Sequence, residues 1–73
     1  MNIKELLNSE RIESMSVKYI SGYDATEGIM LKIVPISEKQ KMIDSYGNCN
    51  VLEWHIVASQ YRPPLLAINF EWK

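Results

Sequence analysis

Val51-Leu52-Glu53-Trp54-His55-Ile56-Val57-Ala58 and Leu65-Leu66-Ala67-Ile68-Asn69-Phe70-Glu71-Trp72 decide how this chain folds. Both alternate. Leu52, Trp54, Ile56 and Ala58 share one side of the first, and Leu66, Ile68, Phe70 and Trp72 share one side of the second. A period of two, filled with β-branched and aromatic residues, is the pattern of a half-buried strand. Between them lies Tyr61-Arg62-Pro63-Pro64, whose two successive prolines offer no amide donors and are therefore expected to form the connection. The expected hairpin gathers both tryptophans and the single phenylalanine into one core cluster. On this reading, replacing Trp54 should unfold the domain.

Working outward, Asn2 with Glu5 three residues on has the form of a capping box. Ile3, Leu6 and Leu7 fall on one helical face, which predicts a helix from about Ile3 to Glu13. Met15 to Ser21 alternates, with Met15, Val17 and Tyr19 expected to face the core. Gly22 to Gly28, with Asp24 and Thr26, carries turn chemistry. Ile29 to Val34 reads as the next strand, with Ile29, Leu31 and Ile33 inward and Lys32 outward. Ser37-Glu38-Lys39-Gln40 resembles a second capping box; Met42, Ile43 and Tyr46 would line one face of a short helix, and Gly47 would cap it in the left-handed region. The rival reading continues the strand through Met42 and turns at Tyr46-Gly47-Asn48. The helix is preferred.

The expected architecture is one α+β domain over residues 1–73. It has a single four-stranded antiparallel sheet, with an N-terminal helix and a short middle helix on one face, in the order α-β-β-α-β-β. The opposite face would carry Lys18, Lys32, Glu53, His55, Asn69 and Glu71, together with Met30, Val34, Val57, Leu65 and Ala67. Such an apolar fraction suits an interface.

Composition excludes several function classes. The chain has 73 residues, eight basic and nine acidic, for a net charge of −1. It therefore lacks the basic stripe that neutralises nucleic-acid phosphates, and direct nucleic-acid binding is not expected. No internal disulfide is possible with Cys49 as the only cysteine, which suits a reducing cytoplasm. The first residues lack a long apolar run and are not expected to act as a signal peptide, and no run approaches the ~20 apolar residues of a membrane span.

Few side chains suggest chemistry. His55 is the only histidine, and Glu53 or Glu71 could orient it as a general base. Strand alternation alone places it as a surface residue. Cys49 sits in the Asn48-Cys49-Asn50 loop, with no basic neighbour to stabilise a thiolate and with some exposure to intermolecular oxidation. One histidine and one cysteine do not make a zinc site, and Asp24 with Glu27 lacks calcium-loop spacing. Neither a metal nor a cofactor is expected, and the chain does not read as an enzyme. Tyr61 and Arg62 are residue types enriched at binding hot spots, held on a proline-stiffened loop. The candidate partner-binding residues are Tyr61, Arg62, Glu53, His55, Val57, Asn69 and Glu71.

Met1-Asn2-Ile3 with Leu6, then Val17-Lys18, Ser21-Gly22 and Asp24, resemble the small type II-A anti-CRISPR inhibitors of phages that infect Gram-positive bacteria. The resemblance covers less than half of the chain. It implies a helix leading into the first strand of an antiparallel sheet, and a phage inhibitor working in the host cytoplasm. Some such inhibitors fill a DNA-binding groove with a strongly acidic surface, which this chain lacks. The expected function is a small non-enzymatic module that binds a host or phage protein, for example blocking a defence nuclease. The alternative is a structural or regulatory subunit that pairs with itself through the outer sheet face or a sheet edge.

Overall fold

A computed structural model describes residues 1–72. The N-terminal segment forms two short helices rather than one, α1 (Ile3–Leu7) and α2 (Glu10–Ser14). The Asn2–Glu5 capping box is present: Glu5 N donates to Asn2 Oδ1 at 2.8 Å and Asn2 N donates to Glu5 Oε1 at 2.9 Å. The expected single helix breaks because Ser9 starts a new one, its hydroxyl accepting from Ile12 N at 3.4 Å while donating to Leu6 O at 2.8 Å. Ile3, Leu6, Leu7 and Ile12 are buried from the two helices together.

Then come strands β1 (Tyr19–Asp24), β2 (Ile29–Met30) and β3 (Val34–Pro35), a 3-10 turn (Ile36–Glu38), helix α3 (Lys39–Tyr46), and strands β4 (Asn50–Ser59) and β5 (Arg62–Glu71). The middle helix forms as preferred, but without its expected caps. Neither the 3-10 turn nor α3 has a side-chain cap, and Gly47 has φ −55 rather than a left-handed conformation. Instead, Lys39 Nζ reaches the C-terminal carbonyl of α1, donating to Leu7 O at 3.3 Å.

The α+β class holds, but the sheet is five-stranded and mixed, not four-stranded and antiparallel. Its order is β2-β1-β5-β4, with β3 also paired to β1. β1 and β5 are parallel, from Tyr19 opposite Leu65 to Asp24 opposite Phe70. β2 and β3 both lie antiparallel to β1, at its two ends, as pieces of one interrupted edge. β5 sits between β1 and β4, and its Leu66, Ile68 and Phe70 are all essentially fully buried. A strand with so apolar a row is best covered from the middle of the sheet, and β1 supplies the second flank.

β5 begins at Arg62, so Pro63 and Pro64 lie inside a strand, contrary to the expected turn. The turn is only Gln60-Tyr61, closed by Ser59 opposite Arg62 and by Tyr61 N donating to Ser59 Oγ at 3.2 Å. The prolines are tolerated because β1 first pairs at Leu65 and β4 has a register shift between Val57 and Ser59. No ladder donor is therefore missing. The Pro64 carbonyl still accepts from Lys18 N at 2.9 Å.

Several faces are corrected. In β1 the buried row is Ile20, Gly22 and Asp24, and Tyr19 is exposed. Ser16 has φ 53, and the irregular chain around it puts Val17 and Ile20 inward, three positions apart, so simple alternation from Met15 gives the wrong phase at Tyr19. In β4 a second register shift lies between Val51 and Glu53; Val51, Trp54 and Ile56 pack on the core, while Leu52 and Ala58 are exposed. Ile29 and Ile33 are exposed as well, and Val34 and Ile36 pack against the core instead. Gly22 allows the helical layer to close on the sheet: a Cβ there would stand 2.8 Å from Met42 Cε and 3.2 Å from Phe70 Cε1.

Cys49 is buried rather than an exposed loop thiol. Burial pushes its pKa up, and the Asp24 carboxylate adds in the same direction. The folded chain thus holds the thiol proton more tightly than the unfolded chain. The associated stability is complete below the ordinary value of 9.0 and is lost as pH rises beyond it. Two results are expected. At neutral pH a disulfide reagent should modify Cys49 only as fast as the domain opens, and Cys49→Ala should show a smaller fall in urea midpoint above pH 9.0 than the wild type. Rapid stoichiometric modification of the folded chain would contradict this burial.

Candidate functional site

The helices cover only one face of the sheet, where the buried rows of β1 and β5 lie, and the other face is built from three cross-strand rows. The first is Val57, Leu65 and Tyr19; the second is His55, Ala67 and Ser21; the third is Glu53, Asn69 and Tyr23, extended by Met30 on β2. Side chains opposite one another on adjacent strands stand ≈ 4.5–5.5 Å apart at Cβ, so each row forms a continuous strip. The strips are graded, apolar at the hairpin end and polar at the other.

At the apolar end Tyr19, Ile33, Val57, Pro63 and Leu65 line a groove of about 490 Å³, with Arg62 on its wall. Val57 and Ile33 are about half exposed there. The groove lies where β4 shifts register between Val57 and Ser59 beside Pro63, and where the interrupted edge leaves Ile33 outside the ladder.

At the polar end the carboxylates are already engaged. Glu53 Oε1 accepts from Asn69 Nδ2 at 2.8 Å, and Glu71 Oε2 accepts from Asn50 Nδ2 at 3.3 Å. Each asparagine–glutamate pair fixes a carboxylate on the surface. Neither carboxylate is thereby committed to His55, which is exposed on the middle row. Cys49 and His55 form no dyad, since the thiol is buried in the core and the imidazole lies on the outer face. Among the described residues, no group of three or more His, Cys, Asp or Glu side chains is placed to hold a metal ion.

Of the residues chosen from sequence, the structure brings Val57 and Arg62 to the groove, His55 to the middle row, and Glu53 and Asn69 together on the third. Glu71 lies at the far end beside Asn50. Tyr61 stands apart: it is 85% exposed at the tip of the hairpin and does not line the groove. Of the other residues expected on this face, Val34 packs against the core, and Lys18 and Lys32 are exposed outside the strands. Sequence reasoning missed Tyr19, Ser21, Tyr23 and Ile33. The signal for the first three was the pair Gly22 and Asp24 in the alternate phase, which looks too polar for a core row until their partners are seen.

The Lys41–Glu38 ion pair, at 2.6 Å, raises the Lys41 pKa through its hydrogen bond and charge, but it is exposed on α3 and solvent-screened. Asp24 is buried and fully used in a turn, accepting from Thr26 N at 3.0 Å and Glu27 N at 3.2 Å through Oδ1 and from Trp72 Nε1 at 3.0 Å through Oδ2. No helix among the described residues is long and apolar enough to cross a membrane. Comparison with protein-family models, with curated proteins and with solved structures finds no match to this chain.

Proposed function

We propose that this chain is a non-enzymatic protein-binding module whose working surface is the helix-free face of its sheet. The carrying observation is the groove walled by Tyr19, Ile33, Val57, Pro63 and Leu65 with Arg62 beside it. Apolar surface ringed by a few fixed polar groups is the composition of a binding patch: a buried apolar anchor supplies energy, and the rim supplies orientation. Here the anchor would be an aliphatic or aromatic side chain of the partner, and Glu53, held by Asn69, would be a preset rim acceptor. In the form that the sequence resemblance suggests, the partner is a host protein such as a defence nuclease, and the chain is an inhibitor of phage or mobile-element type acting in the host cytoplasm. The near-neutral charge supports contact through shape and apolar area over imitation of DNA.

Affinity capture from a bacterial host lysate, with mass spectrometry of the retained proteins, tests this reading. Wild-type chain should retain a protein that Val57→Glu and Arg62→Ala both lose. Because both positions are exposed, each variant should keep its thermal midpoint, within about 0.5 kcal/mol of wild-type stability. If nothing is retained, or if the same protein binds both variants undiminished, the outer face is not the working surface.

A further inference from the structure

The two edges of the sheet are treated differently. One edge consists of β2 and β3, of 2 residues each, with exposed Lys32 between them and Pro35 at the end. Short strands, lysine and proline are the usual guards against unwanted strand pairing. The other edge is β4, a strand of 10 residues with neither lysine nor proline, whose register shifts after Val51 and Val57 leave a regular open stretch between them. Its first residues are covered by the N-terminus: Asn2 bridges Asn50, Val51 N donates to Met1 O at 2.9 Å, and Ile3 N donates to Cys49 O at 3.1 Å. From Leu52 to Ser59 no described residue pairs with the free side. Alternate residues of such a strand turn their N–H and C=O groups outward, ready for another strand.

The open stretch is also self-complementary. Its regular part, Glu53 to Val57, lies between the two register shifts and is centred on His55. We propose that two copies of the chain pair antiparallel through this edge, with His55 opposite His55 across a two-fold axis normal to the sheet. In that register Trp54 of one copy lies opposite Ile56 of the second on the helix side. Both are only half-buried in the single chain, so their remaining apolar surface is covered. On the outer side Val57 lies opposite Glu53 of the second copy. Every residue keeps its own face, since paired positions differ by an even number. The contact spans Glu53 to Val57 and stops short of Val51, whose amide is taken by Met1. The outer faces of both copies then form one continuous surface.

This inference deepens the self-association alternative drawn from the sequence, and it does not depend on the outer-face proposal. Sedimentation equilibrium over a wide concentration range should show a monomer–dimer equilibrium. His55→Lys and His55→Glu put like charges opposite each other at the axis and should each weaken dimerisation by about fivefold. An equimolar mixture of the two should recover association as a heterodimer, and circular dichroism should show both folded, since His55 is exposed. A strictly monomeric wild type at the highest soluble concentration overturns the proposal. So does a dimer indifferent to these substitutions and their mixing. Capture of a protein that depends on Val57 would survive either failure, which separates it from the outer-face reading.

Discussion

Phe70→Ala should leave the chain unfolded, or nearly so, at room temperature. Phe70 is fully buried in the middle of the sheet, opposite Val51 on β4 and beside Asp24 on β1. Tyr46 packs on it from α3, with ring centroids 5.3 Å apart at 49°. Phe70 Cε1 is also one of the three atoms nearest to where a Gly22 Cβ would stand. Truncation would thus open a cavity where β1, β5 and α3 meet. Removing a buried phenylalanine costs about 3–5 kcal/mol, and domains of this size typically have only about 3–5 kcal/mol to lose. Urea titration by far-UV circular dichroism should show no folded baseline. A cooperative transition within 1 kcal/mol of wild type, on the order of an ordinary surface substitution, would mean that Phe70 is not the keystone described.

Trp54→Ala is the instructive contrast. From the sequence alone Trp54 and Phe70 belong to one core cluster, and loss of Trp54 is expected to unfold the domain. In the fold Trp54 lies on the edge strand, half-buried, with the Arg11 guanidinium 5.2 Å from its ring centroid. Part of its surface is wet in the single chain, so its loss should cost less than that of Phe70 and leave the domain folded.

How far the fold was legible turns on such differences. The helix starts, the middle helix and the two long strands are local properties, written in capping residues and alternation over short windows. Strand order is not local. Nothing near Tyr19 says that its neighbour is Leu65 in a parallel register, because that pairing joins segments more than forty residues apart. The phase errors in β1 and β4 share one cause, and Ile33 was misplaced by the separate gap between β2 and β3. Alternation was extended through positions where the backbone breaks it, at Ser16 with its positive φ and at the register shifts after Val51 and Val57. For the outer face, β5 alternates without a break and was read correctly at Leu65, Ala67, Asn69 and Glu71. The β1 contribution was lost with its phase, and with it the tyrosine that walls the groove.

Asp24→Ala should be the costliest polar substitution in the domain. Its sequence reading, a capping residue in a glycine-bounded turn, is correct as far as it goes: Oδ1 accepts from Thr26 N and Glu27 N, and the turn closes with Gly28 N donating to Asp24 O at 2.7 Å. The other carboxylate oxygen does something no local pattern reveals. It accepts from Trp72 Nε1 at 3.0 Å, while Trp72 N donates to Thr26 Oγ1 at 2.9 Å, so the end of the described chain is fastened to the turn between β1 and β2. The Trp72 ring then rests on Tyr46, with centroids 5.7 Å apart, and shields the aromatic cluster. Truncation to alanine strips three donors of their acceptor, two of them in an exposed turn, and should cost about 2–4 kcal/mol, since hydrogen bonds to a charged group are worth ≈ 1.5–3 kcal/mol each but the freed amides regain water. Asp24→Asn keeps Oδ1 for the turn but points an NH₂ at the indole N–H, so it loses the tether alone. A double-mutant cycle with Trp72→Phe isolates that tether: if Asp24 and Trp72 are coupled, Asp24→Asn should cost markedly less in the Trp72→Phe background than in wild type. Additive costs in urea denaturation would show that the indole is held by packing on Tyr46 alone, and that Asp24 serves only its own turn.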